Sequence, residues 1–170
     1  MRILKGRGLL LICFILLTAC ESKLATQAVR DAEIAIEKQW YQRVNSLLHL
    51  AMVETSNSEY EVLHQQSVHL MKMQAYYEAE DLDNLLLTWT KLNLICSDSP
   101  LIKDEAVRLI RQMLSQTKLT AVEVLEEGNS KEMVSSIRLI EKRMGTFEIF
   151  EREVEQLTDL RKQLEGGRVR

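Results

Sequence analysis

Apolar side chains recur at steps of three and four along most of the chain, the period of a helix with one buried face. Ile36, Trp40, Val44, Leu47 and Ala51 form such a stripe and predict one helix from about Ala25 to Glu54. Thr55-Ser56-Asn57-Ser58 interrupts it, and Ser58 with Glu61 has the spacing of a capping box, so a second helix is expected to start there. Its stripe, Leu63, Leu70, Met73 and Tyr77, is weaker and ends in the acidic segment from Glu78 to Asp83. A third helix carries Leu82, Leu85, Leu86, Trp89 and Leu92. Trp40 and Trp89 both sit on apolar stripes, which assigns both to the core.

Ser97-Asp98-Ser99-Pro100 is the clearest boundary, because Ser is a strong N-cap and Pro is tolerated at the first helical position, where its missing N–H has no partner to lose. The helix after it keeps the rhythm Ile102, Ala106, Leu109, Met113 and runs towards Glu126. Gly128-Asn129-Ser130 then offers a glycine stop and an Asn129–Glu132 cap for a last helix reaching Glu165, with Gly166-Gly167 ending it. In that last segment Met133, Ile137, Ile140, Met144 and Phe147 alternate steps of four and three. Phe147, Phe150, Val154 and Leu157 resume after a three-residue shift beside Gly145, which reads as a stammer in a coiled coil. Mixed charge fills the other faces, so a partner helix is expected on the seam, within the molecule or in another one.

The chain begins differently. Arg2, Lys5 and Arg7 form a positive head, and Gly8 to Thr18 is an apolar run of eleven residues, too short for the ~20 that cross a bilayer and the right length for an export signal. Residues 1-19 are therefore set apart as a signal peptide, 20-127 as a helical bundle and 128-170 as a C-terminal coiled-coil-like helix. The expected fold class is all-α, an extended helical bundle with a long C-terminal helix.

Of 170 residues 46% are hydrophobic, with six glycines and one proline, too apolar for disorder and too poor in turn formers for a sandwich or barrel. Without Arg2, Lys5 and Arg7 the chain holds 19 basic against 25 acidic side chains, a net charge of −6, the wrong sign for a nucleic-acid binder. His49, His64 and His69 are the only histidines, and 64 and 69, five apart, do not share a helix face as a zinc pair spaced by four would. The acids from Glu78 to Asp83 lack the glycine turn of a calcium loop and read as a solvated helix end. No nucleophile elbow, phosphate loop or dinucleotide fingerprint occurs, so neither an enzyme, a metal site nor a cofactor is expected. Cys13 leaves with the signal, and Cys96 lies in the apolar Leu94-Ile95-Cys96 stretch, where it reads as a small buried hydrophobe.

Leu17-Thr18-Ala19-Cys20 resembles the lipobox of bacterial lipoproteins. The resemblance implies cleavage after Ala19, a diacylglycerol thioether on Cys20, and an N-acyl chain such as palmitate on the new amino terminus. Glu21 in place of Asp points to the outer membrane, with the body facing the periplasm. Two further stretches, Trp89 to Leu119 with SPLIKDEAVRLIRQML and Glu153 to Leu164 with EVEQLTDLRKQL, resemble helical outer-membrane lipoproteins of the QseG type. That resemblance implies a non-catalytic partner of a two-component sensor kinase.

The expected function is thus that of a lipid-anchored periplasmic scaffold or signalling partner. Its expected contacts are the membrane through lipid and another envelope protein through helices, with a second copy through the C-terminal helix as a further candidate. The alternative is a pilotin-like carrier for a secretion-system component, with a groove for a client helix. Tyr76, Phe147, Phe150, Val154 and Leu157 are the candidate partner-binding residues, since aromatics with a polar end and heptad apolar positions favour interfaces.

Overall fold

The computed structural model describes residues 22–95, 100–127 and 130–166. Ala19 and Cys20, together with Cys96, the Ser97–Ser99 cap and the Gly128–Asn129 stop, lie outside the described residues. Those that are described form seven α-helices and one 3₁₀ turn with no strand, an all-α protein. The helices are α1 (Lys23–Glu37), α2 (Tyr41–Glu54), α3 (Ser58–Glu78), α4 (Leu82–Leu94), α5 (Pro100–Glu127), α6 (Lys131–Met144) and α7 (Glu151–Gly166), with the 3₁₀ turn over Glu148–Phe150. The chain divides into two compact units, Met1–His64 and Gln65–Arg170, which part inside α3. The expected division between residues 127 and 128 is not seen, because α6 packs on α4, and α7 on α5, within one core.

In the first unit α1 and α2 pack on each other. α1 buries Ala25, Ala28, Ala32 and Ala35, spaced by three, four and three, so the facing helix meets a stripe of small side chains. α2 answers with Tyr41, Val44, Leu48 and Ala51. The single helix expected from Ala25 to Glu54 is thus two helices, broken at Lys38-Gln39-Trp40. The break is a Schellman motif. The Trp40 N–H donates to the Ala35 carbonyl at 2.9 Å and the Gln39 N–H to the Ile36 carbonyl at 2.8 Å, which ties off the last turn of α1. Gln39 occupies the left-handed region that this motif demands, at φ 59°. Trp40 leaves the apolar stripe and stands half exposed, correcting its assignment to the core. Its ring is flanked by the Lys38 ammonium at 4.9 Å and the Arg43 guanidinium at 5.7 Å.

The same device joins α3 to α4. The Asp81 N–H reaches the Tyr76 carbonyl at 2.9 Å and the Glu80 N–H the Tyr77 carbonyl at 3.2 Å, with Glu80 at φ 57°. Asp81 then caps α4, its carboxylate accepting from the Asn84 N–H at 3.2 Å. The acidic segment is a helix end, as its composition implied. Both left-handed positions hold a residue with a Cβ, which costs ~1–2 kcal/mol there, offset only in part by the ~0.5–1 kcal/mol of extra chain entropy that a glycine loses on folding. Gln39→Gly and Glu80→Gly should therefore each stabilise the protein by about 0.5–1 kcal/mol. The urea midpoint would rise with an unchanged slope, whereas Gln39→Val would lower it.

α3 starts at Ser58 as expected, but the cap belongs to Asn57 and not to Ser58 of the expected capping box, the Asn57 side-chain oxygen accepting from the Glu59 N–H at 2.9 Å. In the second unit α4 buries Leu85, Leu86, Trp89 and Leu92, and α5 buries Ile102, Ala106, Leu109 and Met113, both on the stripes read from sequence. The last expected helix is broken. α6 stops at Met144, Gly145 and Thr146 turn, and Phe147 is extended at φ −101°, ψ 101° before the 3₁₀ turn. The two successive steps of three among the apolar positions therefore mark a change of direction, not an overwound coil. α7 then packs on α6 and on α5. Arg161 joins the pair, its Nε 2.9 Å from Glu141 and its Nη1 2.8 Å from Glu165, which also receives Arg138 at 2.8 Å.

Candidate functional site

Three features of the described residues could recognise something. All are built from helix faces, and each lies within one unit.

The first is a cleft of about 190 Å³ in the second unit, lined by Tyr76, Tyr77, Leu85, Met113, Met133 and Ser136, among others. It forms where the end of α3 meets α4, α5 and the start of α6. Its volume falls below the ~300–1,000 Å³ that encloses a drug-sized ligand. The second is a broader groove along α5, where Val107, Leu119 and Ile149 supply apolar surface and Arg111 and Tyr77 border it. Leu119 is 67% exposed and Ile149 49%. Arg111 is fixed at its edge, with Nε 3.2 Å from Glu153 and Nη2 3.3 Å from the Ile149 carbonyl.

The expected partner residues divide. Tyr76 is half-buried and lines the small cleft, and Phe147 is half-buried. Phe150, Val154 and Leu157 are in the core, at 0%, 8% and 1% exposure, so the seam of the expected coiled coil is occupied by this chain's own helices. Phe147 and Phe150 meet Trp89 edge to face, with ring centres 5.8 and 5.4 Å away. This corrects the reading of Phe150, Val154 and Leu157 as a free partner surface. The physical reason is the turn at Gly145, which brings the second half of the heptad pattern back against the bundle. Lipidation at Cys20 and cleavage after Ala19 fall outside the described residues.

The third feature is a pair of histidines. His49 on α2 and His64 on α3 stand with ring centres 5.0 Å apart and planes tilted by 51°. His49 is exposed and His64 half-buried. Burial, and then the neighbouring His49, hold the His64 pKa below its ordinary value. The pair spans two helices, so no spacing within one helix marks it. The available signal was that 49 and 64 lie about two helical turns on either side of the Thr55-Asn57 break.

His69 stands apart, half-buried on α3, with its Nδ1 buried and without a hydrogen-bond partner. Its pKa is lowered by burial first and then by Lys72 on α3 and Lys91 on α4. A folded pKa below the unfolded 6.5 means that the unfolded chain takes up more protons as pH falls below 6.5. Stability supplied by neutral His69 is full above that value and is lost as the pH falls towards the lowered one. The unfolding free energy in urea should accordingly decline between pH 7.5 and pH 5.5, and His69→Gln should flatten that slope.

Among the described residues no group of three or more His, Cys, Asp or Glu side chains could hold a metal ion, and no helix is long and apolar enough to cross a membrane. No protein-family model, curated protein or solved structure matches the chain.

Proposed function

We propose that the protein is a non-catalytic, lipid-anchored lipoprotein of the outer membrane, acting from the periplasmic side as a scaffold or signalling partner of another envelope protein, in the first place a two-component sensor kinase. The observation that carries the reading is the leader, in which a basic head and an eleven-residue apolar run end in Leu17-Thr18-Ala19-Cys20. An all-helical body with apolar side chains left on open helix faces suits recognition of a protein partner better than enclosure of a substrate.

A second reading, a pilotin-like carrier for a secretion component, is favoured by the groove along α5. A shallow trough with Val107, Leu119 and Ile149 on it can receive the apolar face of a short client helix.

In-cell cross-linking of the tagged protein, with mass spectrometry of the membrane proteins recovered, tests both readings beside a Cys20→Ala control. Enrichment of a sensor kinase that is lost in the control supports the first. Enrichment of a secretin replaces it with the second, and recovery of this protein alone overturns both.

A further inference from the structure

We propose that His49 and His64 form a two-imidazole site for a divalent transition metal of the zinc and copper class. The spacing of the rings carries the argument. A metal bound to one nitrogen of each ring at about 2.0–2.1 Å lies about 3.2 Å from each ring centre, and a tetrahedral angle between the two bonds puts the centres about 5.2 Å apart. A square-planar cis arrangement puts them at about 4.5 Å. The observed 5.0 Å falls between the two. Imidazole nitrogen is the ligand that zinc, copper and nickel share, whereas calcium and magnesium ask for oxygen.

One further property fits. His49 is exposed, which leaves a route for the ion to enter and room for water in the remaining coordination positions. No third protein ligand of the usual types joins them among the described residues. The site therefore has the affinity of a bidentate chelate, suited to sensing or exchanging metal more than to holding it permanently. Because the two rings come from successive helices, a bound ion would also cross-link α2 to α3. The inference stands independently of the membrane anchor.

The chain has three histidines in all, and alkylating its three cysteines beforehand removes the other strong zinc ligands. Zn²⁺ is titrated into the apo protein by calorimetry in a non-chelating buffer, and Cu²⁺ is followed by electron paramagnetic resonance. One Zn²⁺ per chain is expected, with nitrogen coupling in the Cu²⁺ spectrum and a rise in Tm that EDTA reverses. Loss of a ligand outweighs loss of an outer-shell partner, so His49→Ala and His64→Gln should each weaken binding by roughly tenfold or more. His69→Ala should leave it unchanged. His49 is exposed, so its substitution tests the site without disturbing the fold, which circular dichroism verifies. The proposal is overturned if the wild-type protein takes up no Zn²⁺, or if its affinity survives loss of both rings.

Discussion

Cys20→Ala is expected to abolish incorporation of labelled palmitate and to leave the chain at its uncleaved mass. The reason is chemical. The thioether of a bacterial lipoprotein forms on the cysteine sulfur, and alanine offers no nucleophile to receive the diacylglycerol. Anchoring follows from chain number, since each buried CH₂ contributes ~0.8 kcal/mol and one myristoyl chain alone binds only marginally. The three acyl chains of the proposed lipoprotein would exceed that threshold widely, so on this proposal the wild-type protein should stay in the membrane pellet through high-salt washing, which removes proteins held by charge. The uncleaved variant keeps Gly8 to Thr18 and can remain loosely membrane-associated through it. Palmitate labelling and intact mass are therefore the decisive measurements, not fractionation. Label retained by Cys20→Ala, or absent from the wild type, would remove the basis of the proposed function.

The all-helical class was legible because two boundaries and most buried stripes have local causes. Pro100 opens α5, and Ile102, Ala106, Leu109 and Met113 keep one face through that helix. The break that the apolar pattern hides uses an unusual residue for an ordinary purpose. A left-handed cap is usually glycine or asparagine, and Gln39 fills it after α1, so the stripe reads on from α1 into α2, whereas Glu80 lies in an acidic segment that already marks a helix end. The alanines of α1 were a further unread signal, since a stripe of small residues carries little hydrophobicity while it fixes a close packing face. At Gly145 the heptad pattern survives a change of direction, because Phe147 and Phe150 serve the core from an irregular segment as they would from a helix. The His49–His64 pair is marked in the sequence only by the similar distance of both residues from the Thr55-Asn57 break, since it depends on how two helices cross and on no spacing within either.

Trp89→Ala is expected to be the most destabilising single substitution in the second unit. The side chain is 3% exposed on α4 and fills the space between that helix and the Phe147 and Phe150 rings. Truncation removes the transfer energy of the indole and leaves a cavity that two aromatic rings cannot close. A loss of about 3–5 kcal/mol follows, which corresponds to a fall in Tm of roughly 6–20 °C. Two comparisons separate packing from polarity. The buried Trp89 Nε1 has no hydrogen-bond partner, so Trp89→Phe gives up no bond and keeps an aromatic face for Phe147 and Phe150. It should cost less than about 1.5 kcal/mol. Trp40→Ala, at the half-exposed tryptophan, should lose only the contact with Lys38 and Arg43, about 0.5–1 kcal/mol. Because these are the only two tryptophans, fluorescence assigns each state directly. Acrylamide should quench Trp40 readily in the folded protein and reach Trp89 only through the unfolding transition. Equal quenching of both, or a Trp89→Ala protein as stable as Trp40→Ala, would mean that Trp89 does not anchor the packing of α4 against the Phe147 and Phe150 rings.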